Sequence, residues 1–458
     1  MGGMETRATP SLAECLAAAT DTERFIVAPG ALSQIPALFA ESFPGALAFI
    51  VADGNTMQAA GTRVMALLKE AGIATLEPFV FPASPVLHGD MVHVAEIVAA
   101  LRKQTQAPLV PVSVGAGTMN DLVKRAASEF GSPYLCVPTA ASVDGYTSYG
   151  AALLGNGFKK TFTCPAPKVV VADSDLLAAA PAYLSSSGFG DLASKIVAGS
   201  DWLIAEAAGR GGARGWEPID PLAWAMTQNR LREVLRRSES ASRGDSAAVG
   251  VLFEALALTG FSMQHLHSSR PVSGCEHLFS HVWEMHNLSL NGVPVTHGHK
   301  VAIGTLLATA LTGTLFAPVE PPRPRRLPVP GAGARSAEVR AAFAGLPALD
   351  DIVATSGEKL LGQEAMDVLV ESLRSEWTTL RKAVLDQLMP YEELRAMLLR
   401  SGCPIRAEDI GLTRTEAIAT ARKAQMIRNR YTALDLAWDL GILDDAVAKM
   451  EASPLFLR

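Results

Sequence analysis

Seven of the nine histidines in this chain lie between His265 and His299. The densest run is EHLFSH, Glu276–His281, and THGHK, Thr296–Lys300, follows it. His277 and His281 are four residues apart, so on a helix they share one face. Upstream, GFGDLASK places Asp191 at the expected start of a helix, with Lys195 one turn later. One carboxylate and two imidazoles make a three-ligand set for a catalytic divalent metal, which keeps a further position open for water or substrate. Asp191, His277 and His297 form the preferred set. His299 competes with His297. Gly298 favours His297, because a residue without a side chain permits close packing around a metal. His88, His93, His265, His267 and His286 read as ordinary core or surface histidines.

A second constellation could hold phosphate. GAGTMND, Gly115–Asp121, and VPTAASVDGYTS, Val137–Ser148, read as strand end, glycine turn, helix, strand and hydroxyl-rich turn. Amides at a helix start carry partial positive charge and bind anions, and glycine lets a pyrophosphate come close. The second strand delivers Thr139, Ser142 and Asp144 to the same edge. Asp53, ending FIVADG, can accept hydrogen bonds from ribose hydroxyls, which favours NAD over its phosphorylated form. A plain Asp-Gly turn is the equally open alternative.

These groups need elements to hold them. RFIVAPG, LAFIVADG, LVPVSVG, YLCVPT and KVVVADSDLL are short apolar runs that mostly stop at Gly or Asp, as buried parallel strands do. Helical segments such as Met57–Ala71 and Asn120–Phe130 lie between them. This pattern predicts an α/β, Rossmann-like domain with a mostly parallel sheet, and ligands outside the carboxyl ends of its strands. Past Pro181 the spacing turns helical, predicting an all-helical C-terminal domain. The expected division is an N-terminal arm (1–23), a dinucleotide-binding domain (24–180) and a helical metal- and substrate-binding domain (181–458). A Pro-, Arg- and Gly-rich insert at 318–335 is expected to be a solvated loop between helices, with a linker or a proline-rich ligand for another protein as the alternative.

Composition narrows the function classes. With 49% hydrophobic and 19% charged residues, the 458-residue chain is globular rather than disordered. A net charge of −6 argues against a nucleic-acid partner. Five scattered cysteines without a CxxC pair argue against a disulfide framework or a cysteine zinc site, and fit a cytoplasmic protein. The apolar run Val301–Ala317 carries Gly and Thr and is short for a membrane span, so a buried core helix and no membrane partner are expected.

Together with MIRNRYTALDLA (Met426–Ala437), these motifs resemble the sn-glycerol-1-phosphate dehydrogenase family, in particular its bacterial branch. That family sits in a superfamily with iron-type alcohol dehydrogenases, glycerol dehydrogenases and dehydroquinate synthases. The resemblance implies a dehydroquinate synthase-like fold and a homodimer. It implies pyrophosphate contacts at Gly115, Ala116, Gly117, Thr118 and Met119. Further dinucleotide contacts would come from Thr139, Ala140, Ala141, Ser142 and Ser148, with Asp53 at the ribose. Asp191, His277 and His297 match the metal ligands, and Asp144, Asp191 and His281 match the catalytic, substrate-contacting positions. The implied cofactors are NAD(H) or NADP(H) and one divalent metal, zinc before nickel. The implied reaction interconverts dihydroxyacetone phosphate and sn-glycerol 1-phosphate, with the metal polarising the carbonyl for hydride transfer. The alternatives are a metal-dependent glycerol, polyol or alcohol dehydrogenase, a dehydroquinate synthase-like cyclase and an inactive binding relative. Lys195 stays open between substrate phosphate and a salt bridge. Two departures stand out: Ala116 replaces the middle glycine of the family's GGG loop, and Val143 precedes Asp144 where archaeal members often carry His.

Overall fold

The computed structural model describes residues 7–104, 108–155, 158–321, 331–454 and 456–457. Six strands form one parallel sheet: β1 (Arg24–Ala28), β2 (Leu47–Asp53), β3 (Phe79–Phe81), β4 (Leu109–Gly115), β5 (Leu135–Pro138) and, after an antiparallel hairpin β6 (Ala151–Gly155) and β7 (Phe158–Phe162), β8 (Val169–Asp173). Their spatial order is β1-β8-β5-β4-β2-β3. Parallel pairing sets Ile50 beside Val112 and Val114 beside Val137.

Alternation along the strands explains both faces. Ala48, Ile50 and Ala52 of β2 join Val110, Val112 and Val114 of β4 in one apolar cluster, covered by Ile35 and Phe39 and by Val64 and Leu68 from two helices. Phe49 and Val51 point the other way, into a cluster that runs on through the C-terminal helices. A strand covered on both faces must be apolar at successive positions, which is why these runs do not alternate in hydropathy.

The order in which strands are added switches side between β2 and β4: β3 lies outside β2, whereas β5 and β8 lie on the far side of β4. Such a switch opens a crevice at the carboxyl ends of the strands. Asp53 and Gly115 end the two strands that flank it.

Several expectations need correction. The C-terminal region is mostly, not entirely, helical. Ser289–Leu290 (β9) and Val293–Pro294 (β10) form a hairpin whose turn residues, Asn291 (φ 52°) and Gly292 (φ 79°), both take left-handed conformations. That turn chemistry outweighs helix periodicity over so short a span. Part of the 318–335 insert, residues 322–330, lies outside the described residues. Its end is no solvated loop: Arg335 belongs to the helix Ala332–Ala342 and is buried, its Nε donating to Ser356 Oγ at 2.7 Å. Within the N-terminal arm, Leu12–Ala18 is a helix capped reciprocally by Ser11 and Glu14. The apolar run 301–317 falls almost wholly in the buried helix His297–Phe316. Among the described residues only Ser246–Leu266 is long and apolar enough to cross a membrane, and 67% of its apolar window is buried.

Candidate active site

Three helices build the candidate metal-ligand cluster. Asp191 lies in the last turn of Ala182–Ala193, His277 in the first turn of Cys275–Met285, and His297 opens His297–Phe316. Asp191 therefore ends a helix rather than starting one, and Lys195 begins the next, Lys195–Arg210. The glycines of GFGD do not stop the helix, because their role is close packing. A Cβ on Gly188 would sit 1.9 Å from Ala141 O, and one on Gly298 would sit 1.8 Å from Ser187 O. Gly298 thus lets the helices that carry Asp191 and His297 touch, and Ser187 Oγ accepts from its N–H at 3.1 Å. Gly298→Ala is expected to cost about 1–3 kcal/mol or more through overpacking. It should also lower metal content, which chemical denaturation and metal analysis of the purified variant would show.

One ligand atom from each of Asp191, His277 and His297 lies within 4.8 Å of the other two. Asp191 and His277 are buried, and His297 is half-buried. His277 Nδ1 is 2.7 Å from Glu276 Oε1, and His297 Nδ1 is 2.8 Å from Glu284 Oε1. With both Nδ1 atoms engaged, both Nε2 atoms are left for the cluster, and His277 Nε2 is 3.6 Å from Asp191 Oδ1. Imidazoles oriented by carboxylates, plus one carboxylate, suit a divalent metal in chemistry and geometry. His299 turns away: its Nε2 is 2.7 Å from Ser186 Oγ, and burial pushes its pKa down to about 4.

Lys195 is fully buried and belongs to this centre. Its ammonium is 2.7 Å from Asp191 Oδ1 and 2.7 Å from Asp144 Oδ2. The Asp144 N–H also donates to Asp191 Oδ2 at 2.9 Å. Burial alone would push the Asp191 carboxyl up, but Lys195 and the two histidines outweigh it and hold the acid below the usual carboxylate range. Burial likewise opposes the Lys195 charge, and the two aspartates override it and hold the ammonium above its ordinary value. His281 shares the helix of His277, with ring centroids 6.1 Å apart.

Behind the metal cluster, Asp201 is also fully buried, accepting from the N–H groups of Cys275 and Ala433. Burial first, and the Glu276 carboxylate second, push its pKa up to about 7.

The glycine loop follows β4, with Gly117 packed against Val143. Ala116 is the N-cap of Gly117–Phe130, with φ −80° and no capping hydrogen bond from its side chain. A negative φ is open to alanine, so replacing the middle glycine brings no backbone strain. Thr118 is exposed and Met119 buried. Thr139, Ala140, Ala141 and Ser142 are buried against the same edge, where Thr139 N donates to Gly115 O at 3.1 Å. Asp53 ends β2 half-buried, and its Oδ1 accepts from Asn55 and Thr56 N–H at 2.8 and 2.9 Å. One of its oxygens therefore caps a short helix. Ser148 is set back: its Oγ donates to Gly145 O and accepts from Lys124 Nζ.

Sequence reasoning missed Glu276, Glu284 and Lys124. Glu276 adjoins a candidate ligand, and Glu284 lies two helical turns beyond it, so spacing could have flagged both. Nothing in the sequence marks Lys124 as buried. Its ammonium donates to Gly145 O (2.7 Å), Ser148 O (3.0 Å) and Gly150 O (3.0 Å), tying down the turn that follows Asp144.

Residues 26–181 match the family model of iron-containing alcohol dehydrogenases. Over 264 residues the chain is 36% identical to a glycerol-1-phosphate dehydrogenase (NAD(P)+) of Halalkalibacterium halodurans, covering 57% of this chain and 64% of the relative. That is slightly under two thirds of the relative's length. Over 295 residues it is 34% identical to the enzyme of the same name from Bacillus licheniformis, covering 64% of this chain and 71% of the relative. A probable glycerol dehydrogenase of Sinorhizobium meliloti 1021 shares the fold, with a TM-score of 0.57 at 18% identity over 93% of this chain and 98% of that one.

Proposed function

The chain belongs to the glycerol-1-phosphate dehydrogenase family, and from that premise we propose that it interconverts dihydroxyacetone phosphate and sn-glycerol 1-phosphate with NAD(H) or NADP(H). The observation that carries the proposal is the Asp191, His277 and His297 cluster, its imidazoles held by carboxylates and its aspartate tied to Asp144 through Lys195. In the reducing direction, dihydroxyacetone phosphate takes a hydride at C2 from the nicotinamide and a proton at the carbonyl oxygen.

Residues 24–180 would hold the dinucleotide. Gly115, Ala116, Gly117, Thr118 and Met119 would meet the pyrophosphate, with Thr139 to Ser142 and Ser148 nearby and Asp53 at the ribose. Residues 181–458 would supply the metal- and substrate-binding part. Asp191, His277 and His297 would hold one divalent cation, zinc before nickel, which when bound supplies Lewis-acid stabilisation of negative charge on the substrate oxygen. Asp144 and His281 would orient the substrate hydroxyl and relay a proton at the carbonyl oxygen. Lys195 fixes the Asp144 carboxylate relative to Asp191. The protein would work in the cytoplasm as a homodimer, without membrane or nucleic-acid partners.

The test is NADH and NADPH oxidation with dihydroxyacetone phosphate and with dihydroxyacetone, before and after chelation. Turnover of the phosphorylated ketone that chelation abolishes and added Zn2+ or Ni2+ restores is the expected result. Turnover of dihydroxyacetone but not its phosphate would assign a polyol dehydrogenase instead. Absence of both metal and nucleotide binding would assign an inactive relative.

A further inference from the structure

We infer that Glu276 and Glu284 are positioning residues that present His277 and His297 to a metal through Nε2 and set the strength with which it is held. This rests on the ligand set proposed above. Each carboxylate lies within 2.8 Å of one Nδ1. An Nδ1–H bonded to a carboxylate holds the tautomer with its lone pair on Nε2, fixes the ring plane and makes the imidazole a better donor.

The arrangement is local in sequence. One helix, Cys275–Met285, carries the ligand His277, its adjacent orienting residue Glu276, and Glu284, which orients the other ligand. The β9–β10 hairpin then turns the chain so that His297 comes back onto Glu284. Both imidazole ligands and both orienting carboxylates therefore lie within residues 276–297, and Asp191 alone comes from a distant segment.

Packing does not account for Glu276. It is fully buried, and its Oε2 has no hydrogen-bond partner among the described residues. Leaving a buried carboxylate oxygen unsatisfied is costly. Its other oxygen serves two donors, the Gly274 N–H and the His277 ring, both at 2.7 Å. Glu284 is also buried and shares its Oε1 with Lys300 Nζ at 3.3 Å, which places a cation beside it without displacing the histidine.

The experiment compares wild type, Glu276→Gln, Glu284→Gln and His277→Ala as full-length proteins. It measures Zn2+ affinity by chelator competition and the visible absorption of the Co2+-loaded forms. Circular dichroism checks folding, and should one glutamine variant misfold, the other still carries the test. A loss of about 10–100-fold in Zn2+ affinity with an altered Co2+ spectrum is expected for each glutamine variant. Stoichiometric binding by the wild type that His277→Ala abolishes would uphold the ligand set. Wild-type affinity and spectrum in both glutamine variants would then overturn the orienting role alone. Failure of the wild type to hold either ion would overturn both.

Discussion

In the proposed reaction, replacing His277 by alanine is expected to lower kcat/KM for dihydroxyacetone phosphate by a factor of about 10³ or more. Lewis-acid stabilisation of a charged transition state is worth several kcal/mol, and each 1.36 kcal/mol is about tenfold in rate. His277 is the central member of the cluster, 3.6 Å from Asp191 Oδ1 and with its ring centroid 5.4 Å from that of His297. Its removal leaves two ligands on separate helices, too few for a stable site, so metal content should fall along with activity. The variant should still fold, because the flanking apolar residues Leu278 and Phe279 keep the helix in the core. Stoichiometric metal and activity within tenfold of wild type in His277→Ala would remove His277 from the ligand set.

Lys195→Met should produce the largest loss of stability. The Lys195 ammonium is fully buried and neutralises two carboxylates, one of them, Asp191, also without exposed surface. Breaking a buried ion pair from one side leaves uncompensated charge and costs about 3–5 kcal/mol. Methionine roughly fills the volume, so the cost is electrostatic rather than a cavity. The check is chemical denaturation of metal-free wild type and variant. Added Zn2+ should recover part of the loss, since binding to the folded state alone stabilises it by mass action. A metal-free variant as stable as wild type would show that Lys195 is neutral in the fold or that Asp144 and Asp191 share a proton.

Much of the fold was legible because strands buried on both faces must be continuously apolar, and helices between them must follow if the pairing is parallel. LAFIVAD and LVPVSVG show this pattern, and both are strands of the sheet. The hairpin at Asn291-Gly292 was legible in principle from its turn residues, but it hid inside a helical stretch. Asp191 ends its helix rather than starting it, because Gly188 and Gly190 before it lie inside that helix. Only the neighbour that each glycine touches, Ala141 O for Gly188, shows that these residues serve contact instead.

Residue type and order alone determined which side chains could ligate a metal, which glycine turn has the chemistry to hold a phosphate, and how the elements alternated. Those are properties of local chemistry and periodicity. Tertiary structure decided what depends on approach between distant segments. It brings His297 rather than His299 beside Asp191 and His277, with Glu284 on the first and Ser186 on the second. It drew Lys195 away from the surface into a buried bridge between Asp144 and Asp191, a partnership that no spacing encodes, since 47 residues separate the two acids. The constellation of histidines was written in the chain, whereas the charges and carboxylates that tune it came from packing.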